Sequence, residues 1–436
     1  MHVLSEIIKE DMKPALGVTE PGAVAFITAK ARSYTSGDIK SVDVSMNSGM
    51  YKNAFTCGIP GSCEVGNVFA AALGVVAGNA QKGLESLADV TPQDNEMAKD
   101  LVDKGKVTVR LSGIDSRIFM EATVKTESDE AVVTIRDSHT NITRIAVNGN
   151  VIHESPVYIA DVDEREEEDA DVQPLIHHYT LQQLYDYITT VDIQELEFIR
   201  AAYEVNYELF EEGLHHPRTT FSRFLLKMND GKIISDNEQA TASLLCNAAI
   251  EARVIGLDKP AMSITGSGAH GIISTMPLYA ACRVNGYSEE NLLRATALSY
   301  LICMYIKEYS GKLSAFCGCA IAAGTGMACA LVYLRGGDAE VMGHTINNMA
   351  SSITGMICDG GNQGCTMKGI AAVDAAYKSV EFAMNGIYID NVHGINGKTP
   401  EMTMKNMGLI ASPGMVGTEK TIVDIFEAKL KNEKLI

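Results

Sequence analysis

Three cysteines in the last third of this chain, Cys317, Cys358 and Cys365, carry the most chemistry. Cys317 ends the segment Leu313-Ser-Ala-Phe-Cys317, and the other two frame a glycine-rich turn, Cys358-Asp-Gly-Gly-Asn-Gln-Gly-Cys365. Thiolates on flexible backbone suit an iron–sulfur cluster, whose irons take tetrahedral sulfur ligands. Three protein ligands instead of four would leave one iron open to a substrate. The spacing matches no compact cluster pattern, and the CxxC pairs common in structural zinc sites are absent. Spacing alone therefore leaves two readings open, a metal cluster or free thiols buried as small apolar groups. Cys246, Cys282, Cys303 and Cys329 lie inside apolar helical runs and read as packing residues. Cys319, two residues beyond Cys317, is expected to face another direction.

Other segments stand in a fixed order with these. They are Lys13-Pro-Ala-Leu-Gly-Val-Thr-Glu-Pro21, Ser138-His-Thr-Asn-Ile142 and Gly266-Ser-Gly-Ala-His-Gly-Ile-Ile-Ser-Thr-Met-Pro277. With Gly355-Met-Ile-Cys358-Asp-Gly and Gly364-Cys365-Thr-Met-Lys they resemble segments of the L-cysteine desulfidase family (UPF0597 type). That family is a relative of the iron–sulfur L-serine dehydratase alpha chain. The resemblance runs from near residue 13 to near residue 370. It implies a 4Fe–4S cluster on Cys317, Cys358 and Cys365, with the fourth iron as a Lewis acid. It also implies a lyase performing α,β-elimination on a small amino acid, turning cysteine into pyruvate, ammonia and sulfide.

One position departs from the family. Its G-C-T-E-P cysteine, the proposed proton acceptor, is Val18 here. Glu20 is expected to serve as base if burial raises its pKa, or else as a first-turn carboxylate favoured by the helix dipole. Cys57 or Cys63, in a Gly/Pro loop, would supply a thiolate or be ordinary thiols. His270, where the family has glutamine, would titrate near neutrality or serve as a hydrogen-bonding group. Thr19 is expected to shape the substrate site, and Ser267 and Gly268 to present backbone amides to the substrate carboxylate at a helix start. His139, Thr140 and Asn141 would bind polar groups of the substrate or stabilise a turn. Lys312 would neutralise charge near the cluster or stand exposed. The loss of the cysteine at Val18 keeps two other functions open: a cluster-dependent dehydratase or lyase on another small 2-amino or 2-hydroxy acid, and a non-catalytic ligand-binding or redox-sensing member.

The whole chain sets the frame for this chemistry. Its 436 residues, 46% of them apolar, suffice for two domains. A net charge of −19 excludes a basic nucleic-acid footprint. No apolar stretch approaches the ~20 residues of a membrane span. The N-terminus reads as an amphipathic helix, not a secretory signal. Ten cysteines outside a disulfide framework favour a reducing, cytoplasmic setting. The expected partners are a small amino-acid substrate and further copies of the chain, with neither nucleic acid nor membrane.

The expected fold class is α+β. Residues 1–170 should form an α/β part with mixed helices and antiparallel strands: alternation predicts strands over 40–47, 107–111, 120–125, 131–136 and 141–147. Thr19 is expected to cap a helix with Pro21 in its first turn. The acidic run 161–171 reads as a solvated linker. Residues 171–436 should be a mostly helical catalytic domain, with helices at 181–189, 193–211, 219–228, 237–255, 288–309, 318–333, 339–356 and 369–385.

Overall fold

The computed structural model describes residues 1–115, 117–155, 173–311 and 313–432. The chain opens as α1 (Val3–Asp11), β1 (Lys13–Leu16), α2 (Thr19–Arg32), β2 (Ile39–Asn47), α3 (Ser48–Asn53), α4 (Gly66–Ala77) and α5 (Pro92–Asp103). Five strands follow: β3 (Val107–Gly113), β4 (Phe119–Thr126), β5 (Glu130–Arg136), β6 (Ile142–Val147) and β7 (Asn150–Glu154). They join β2 in one sheet of order β3-β2-β4-β5-β6-β7. The alternation read in the sequence puts Val42, Val44, Met46, Met120, Ala122, Val124, Ala131, Val133 and Ile135 on one buried face. The apolar helices α2 and α4 share the core with that face. The sheet is not wholly antiparallel: β2 and β3 run parallel, with α3, α4 and α5 in the crossover.

The helical part comprises α6 (Leu181–Thr190), α7 (Arg200–His215), α8 (Phe221–Met228), α9 (Glu238–Val254), the short strand β8 (Pro260–Ser263), α10 (Gly268–Asn285), α11 (Glu289–Ser310), α12 (Gly324–Leu334), α13 (Ala339–Ile353), α14 (Gly364–Met384), α15 (Pro400–Leu409) and α16 (Val416–Asn432). From Thr241 to Val254 every residue of α9 is buried, Asn247, Glu251 and Arg253 included. The predicted helix at 193–211 is split into a 3₁₀ turn, Ile193–Ile199, and α7, and the one at 318–333 begins with a π turn, Cys319–Ala323. Sequence reading marked only a glycine-rich start at 266–271. The chain continues there as the 18-residue α10, Pro277 included, because small residues let α9 and α11 pack closely against it.

Buried apolar side chains form two clusters, one under the six-stranded sheet and one among the helices. The N-terminal segment crosses between them. β1 pairs antiparallel with β8, Lys13 opposite Ser263 and Leu16 opposite Pro260. This pairing carries residues 13–20 onto the helical part. The expected boundary at 170/171 and the acidic run over 161–171 lie outside the described residues. Among the described residues no helix is long and apolar enough to cross a membrane.

Candidate active site

The segments singled out in the sequence, far apart along the chain, surround one cavity of about 400 Å³. Its wall takes Thr19 and Glu20 from the start of α2, Asn53 from the end of α3, and Ser138, His139 and Thr140 from the β5–β6 turn. Thr265, Gly266, Ser267 and His270 come from the turn into α10, Lys307 from α11, and Gly318, Cys319 and Cys358 from the thiol-bearing segments.

Local structure explains how these groups arrive. Thr19 was expected at the N-cap of α2, but the cap is Val18, which has no side-chain acceptor, and Thr19 is the first helical residue. Its hydroxyl is thereby released from capping and donates across the cavity to Gly266 O at 3.4 Å. Thr265 occupies the left-handed region at φ 49°, uncommon for a β-branched residue, with Gly266 beside it at φ 73°. Such backbone costs ~1–3 kcal/mol and collects at functional turns. It brings Thr265 Oγ1 within 2.5 Å of His270 Nδ1.

Glu20 is buried, and burial alone would push its pKa up. His139 Nε2, 3.8 Å from Oε1, the Asn53 amide, which donates to Oε1 at 2.9 Å, and the Arg253 guanidinium prevail and lower it to about 2. At 3.8 Å the His139 contact is too long for a hydrogen bond. Glu20 is therefore a fixed anion, the opposite of a base with a burial-raised pKa. His270 also departs from its expected titration near neutrality. Burial, together with the Lys307 and Arg253 cations, lowers its pKa to about 3, so the imidazole is neutral at physiological pH. Lys307 is itself buried. Burial depresses its pKa against the upward pull of Cys303, Cys319 and Cys358, and its ammonium donates to Gly311 O at 2.7 Å.

The backbone brings the segments carrying the three cysteines together. Cys317 N donates to Met356 O at 3.0 Å and Cys358 N to Ala315 O at 2.6 Å, which clamps the two segments side by side. Cys365 lies in the first turn of α14, its thiol 3.5 Å from Gly360 O. Burial first, and then Cys358 and Cys317, push the Cys365 thiol up to about 11; Cys317 likewise raises Cys358. The three thiols thus lie within electrostatic reach of one another, with Lys368 acting on all three and Lys52 also acting on Cys358. Among the described residues no three His, Cys, Asp or Glu side chains close on a single ion. A cluster that takes one thiolate per iron requires thiols spread around it instead.

Of the expected site residues, Thr19, Glu20, His139, Thr140, Ser267, His270 and Cys358 line the cavity, while Cys317 and Cys365 stand behind the wall. Gly268 packs against Arg253 and Ala261. Asn141 turns its amide back to Arg136 O at 3.0 Å and belongs to the β5–β6 turn. Lys312 lies outside the described residues. Cys63 is exposed; Cys57 is buried in the helical core, where burial and Glu20 hold its thiol protonated. Asn53, Thr265, Lys307 and Cys319 were missed. Lys307 had a signal, the first charge after the uncharged run 295–306; Asn53 had none.

A family model described as serine dehydratase alpha chain matches residues 81–424. A UPF0597 protein from Clostridium botulinum is 39% identical over 424 residues, 97% of this chain and 98% of its own. Similar proteins occur in Caldanaerobacter subterraneus, 36% identical over 427 residues, and Desulfatibacillum aliphaticivorans, 31% over 430, each covering 98% of both chains. All three are named UPF0597 proteins, a name that specifies no reaction.

Proposed function

The chain belongs to the serine dehydratase alpha-chain family, and from that premise we propose that it is an iron–sulfur-dependent lyase that eliminates sulfide from L-cysteine. The observation that carries this reading is the meeting of Cys358 with Glu20 and His139 on one cavity wall. Cys317, Cys358 and Cys365 would hold a 4Fe–4S cluster. When bound, it supplies a Lewis-acidic iron that assists departure of the β substituent.

The chain's own groups do the rest. Glu20, held ionised by its surroundings, positions the His139 imidazole. His139 takes the Cα proton as general base, the electron pair forms the Cα–Cβ double bond, and the Cβ–S bond breaks with sulfur leaving as sulfide. The 2-aminoacrylate left behind adds water and yields pyruvate and ammonia. Thr19, Ser267 and Thr140 border the cavity where the substrate's polar groups lie. His270, neutral and fixed by Thr265, offers a hydrogen bond and not a charge.

A second reading rests on Val18. It is buried, 3% exposed, and packs against the thiol-bearing turn, where a Cβ added at Gly361 would meet Val18 Cγ1 at 2.8 Å. With an apolar group there, the preferred substrate would be another small 2-amino or 2-hydroxy acid. Keto-acid formation from L-cysteine, L-serine and L-threonine by anaerobically iron-loaded protein separates the two. The first reading expects cysteine to be best, and a higher rate with serine or threonine overturns it in favour of the second. A Val18→Cys variant with unchanged cysteine turnover would show that this position does not limit the reaction.

A further inference from the structure

A buried cation with an unpartnered N–H stands near this cavity. Arg253, in the last turn of α9, is 4% exposed, and its Nε has no hydrogen-bond partner. Among the described residues no carboxylate lies within ion-pair distance of its guanidinium. An unpaired buried charge is costly, so a site that keeps one is built to receive an anion. Arg253 also has a direction. A Cβ added at Gly268 would meet its Nε at 2.6 Å, so the guanidinium abuts the first residue of α10. That helix of 18 residues begins at the cavity, and Ser267 gives it no side-chain cap. Its first-turn N–H groups lack intrahelical partners, and the helix dipole adds positive potential.

We propose that Arg253 and the N-terminal turn of α10 together form the carboxylate-binding site for the amino-acid substrate, with Arg253 as the residue that selects a free α-carboxylate. The inference rests on the reading of this cavity as the substrate site. The guanidinium is planar and suits a carboxylate with two parallel hydrogen bonds, which a lysine does not reproduce. Glu20 and His270 both lie within its electrostatic reach, so the same cation serves the two cavity walls. Gly268 has no side chain because one would displace the guanidinium.

The test uses L-alanine and L-alaninamide, which have no leaving group, as calorimetric probes of anaerobically iron-loaded protein. The wild type should bind L-alanine at least about tenfold more tightly than the amide, the scale of a charge-assisted bidentate contact. Arg253→Met should bring that preference close to unity. Arg253→Lys should keep part of it, and Gly268→Ala should reduce it without removing the charge. A folded R253M protein with the wild-type preference overturns the proposal, as does a wild type that does not discriminate between the two probes. If R253M does not fold, unchanged preference in both R253K and G268A overturns it equally. Because neither probe is eliminated, the result is independent of the lyase reading. Arg253-dependent L-alanine binding with no turnover of any amino acid would sink that reading alone.

Discussion

At the scale of single residues, thiols, anion and imidazole carry separate duties. Replacing Cys317, Cys358 or Cys365 singly with Ala should abolish the visible absorbance of anaerobically loaded protein and its turnover, while circular dichroism stays near wild type. Retained iron and absorbance in C358A would remove that cysteine from the ligand set. His139→Asn should lower kcat about 10²–10⁴-fold, the range for loss of a general base. A smaller effect on kcat than on KM would make His139 a binding group instead. Glu20 adds a pH signature. Its pKa falls from 4.5 in the unfolded chain to about 2 in the fold, so its ionised form favours folding. That stabilisation is complete above about pH 4.5 and is lost as the pH drops towards 2. A shift of this size corresponds to about 3 kcal/mol. In urea titrations Glu20→Gln should therefore trail the wild type most at pH 7, with the gap shrinking below pH 4.5. A gap constant down to pH 3 would contradict this origin.

At the scale of elements, the thiol-bearing turn and the C-terminal helix depend on each other. Gly360 sits at φ 98°, and a Cβ on it would lie 2.4 Å from Lys52 O. Gly360→Ala should shift the turn that carries Cys358 and Cys365 and reduce iron retention well before it affects global stability. Iron content equal to wild type would show the turn to be more adaptable than its packing implies. Lys52 itself is fully buried. Its ammonium pairs with Glu419 of α16 at 2.8 Å and donates to Ser314 O at 2.9 Å, beside the Cys317 segment. Lys52→Met leaves Glu419 buried and uncompensated, a loss of about 3–5 kcal/mol. Adding Glu419→Leu should recover much of it, because a buried pair is replaced by apolar packing at little net cost. Strand alternation made five strands of the six-stranded sheet legible in advance, since each keeps one face more buried than the other; β7 is exposed along its length and carried no such signal. The parallel β2–β3 pairing was not legible, because alternation says which face is buried and nothing about which neighbour lies alongside. Helix α10 was hidden by its glycines, whose low propensity is overridden by burial between α9 and α11.

At the scale of the molecule, the cavity assembles where β1 pairs with β8 and carries the N-terminal motif to the helical part. Thr19, Glu20, His139, His270 and the three cysteines were legible because each sits in a short motif of unusual composition. Arg253 and Asn53 were not. Both lie in ordinary helical sequence, and only the fold brings Arg253 against Gly268 and Asn53 against Glu20. Neighbouring groups reversed the chemistry expected of Glu20, and burial that expected of His270, so surroundings and not residue type decide which form is favoured.

The central claim is that elimination depends on iron held by this chain. The most direct measurement is the rate of pyruvate formation from L-cysteine against iron bound per chain, titrated anaerobically from the iron-free protein. The rate should be near zero without iron and rise with loading to a plateau at about four irons, with sulfide and ammonia released in equal amounts. Equal turnover by the iron-free protein, or a fully loaded protein that forms no keto acid from any of the amino acids tested, would contradict the account.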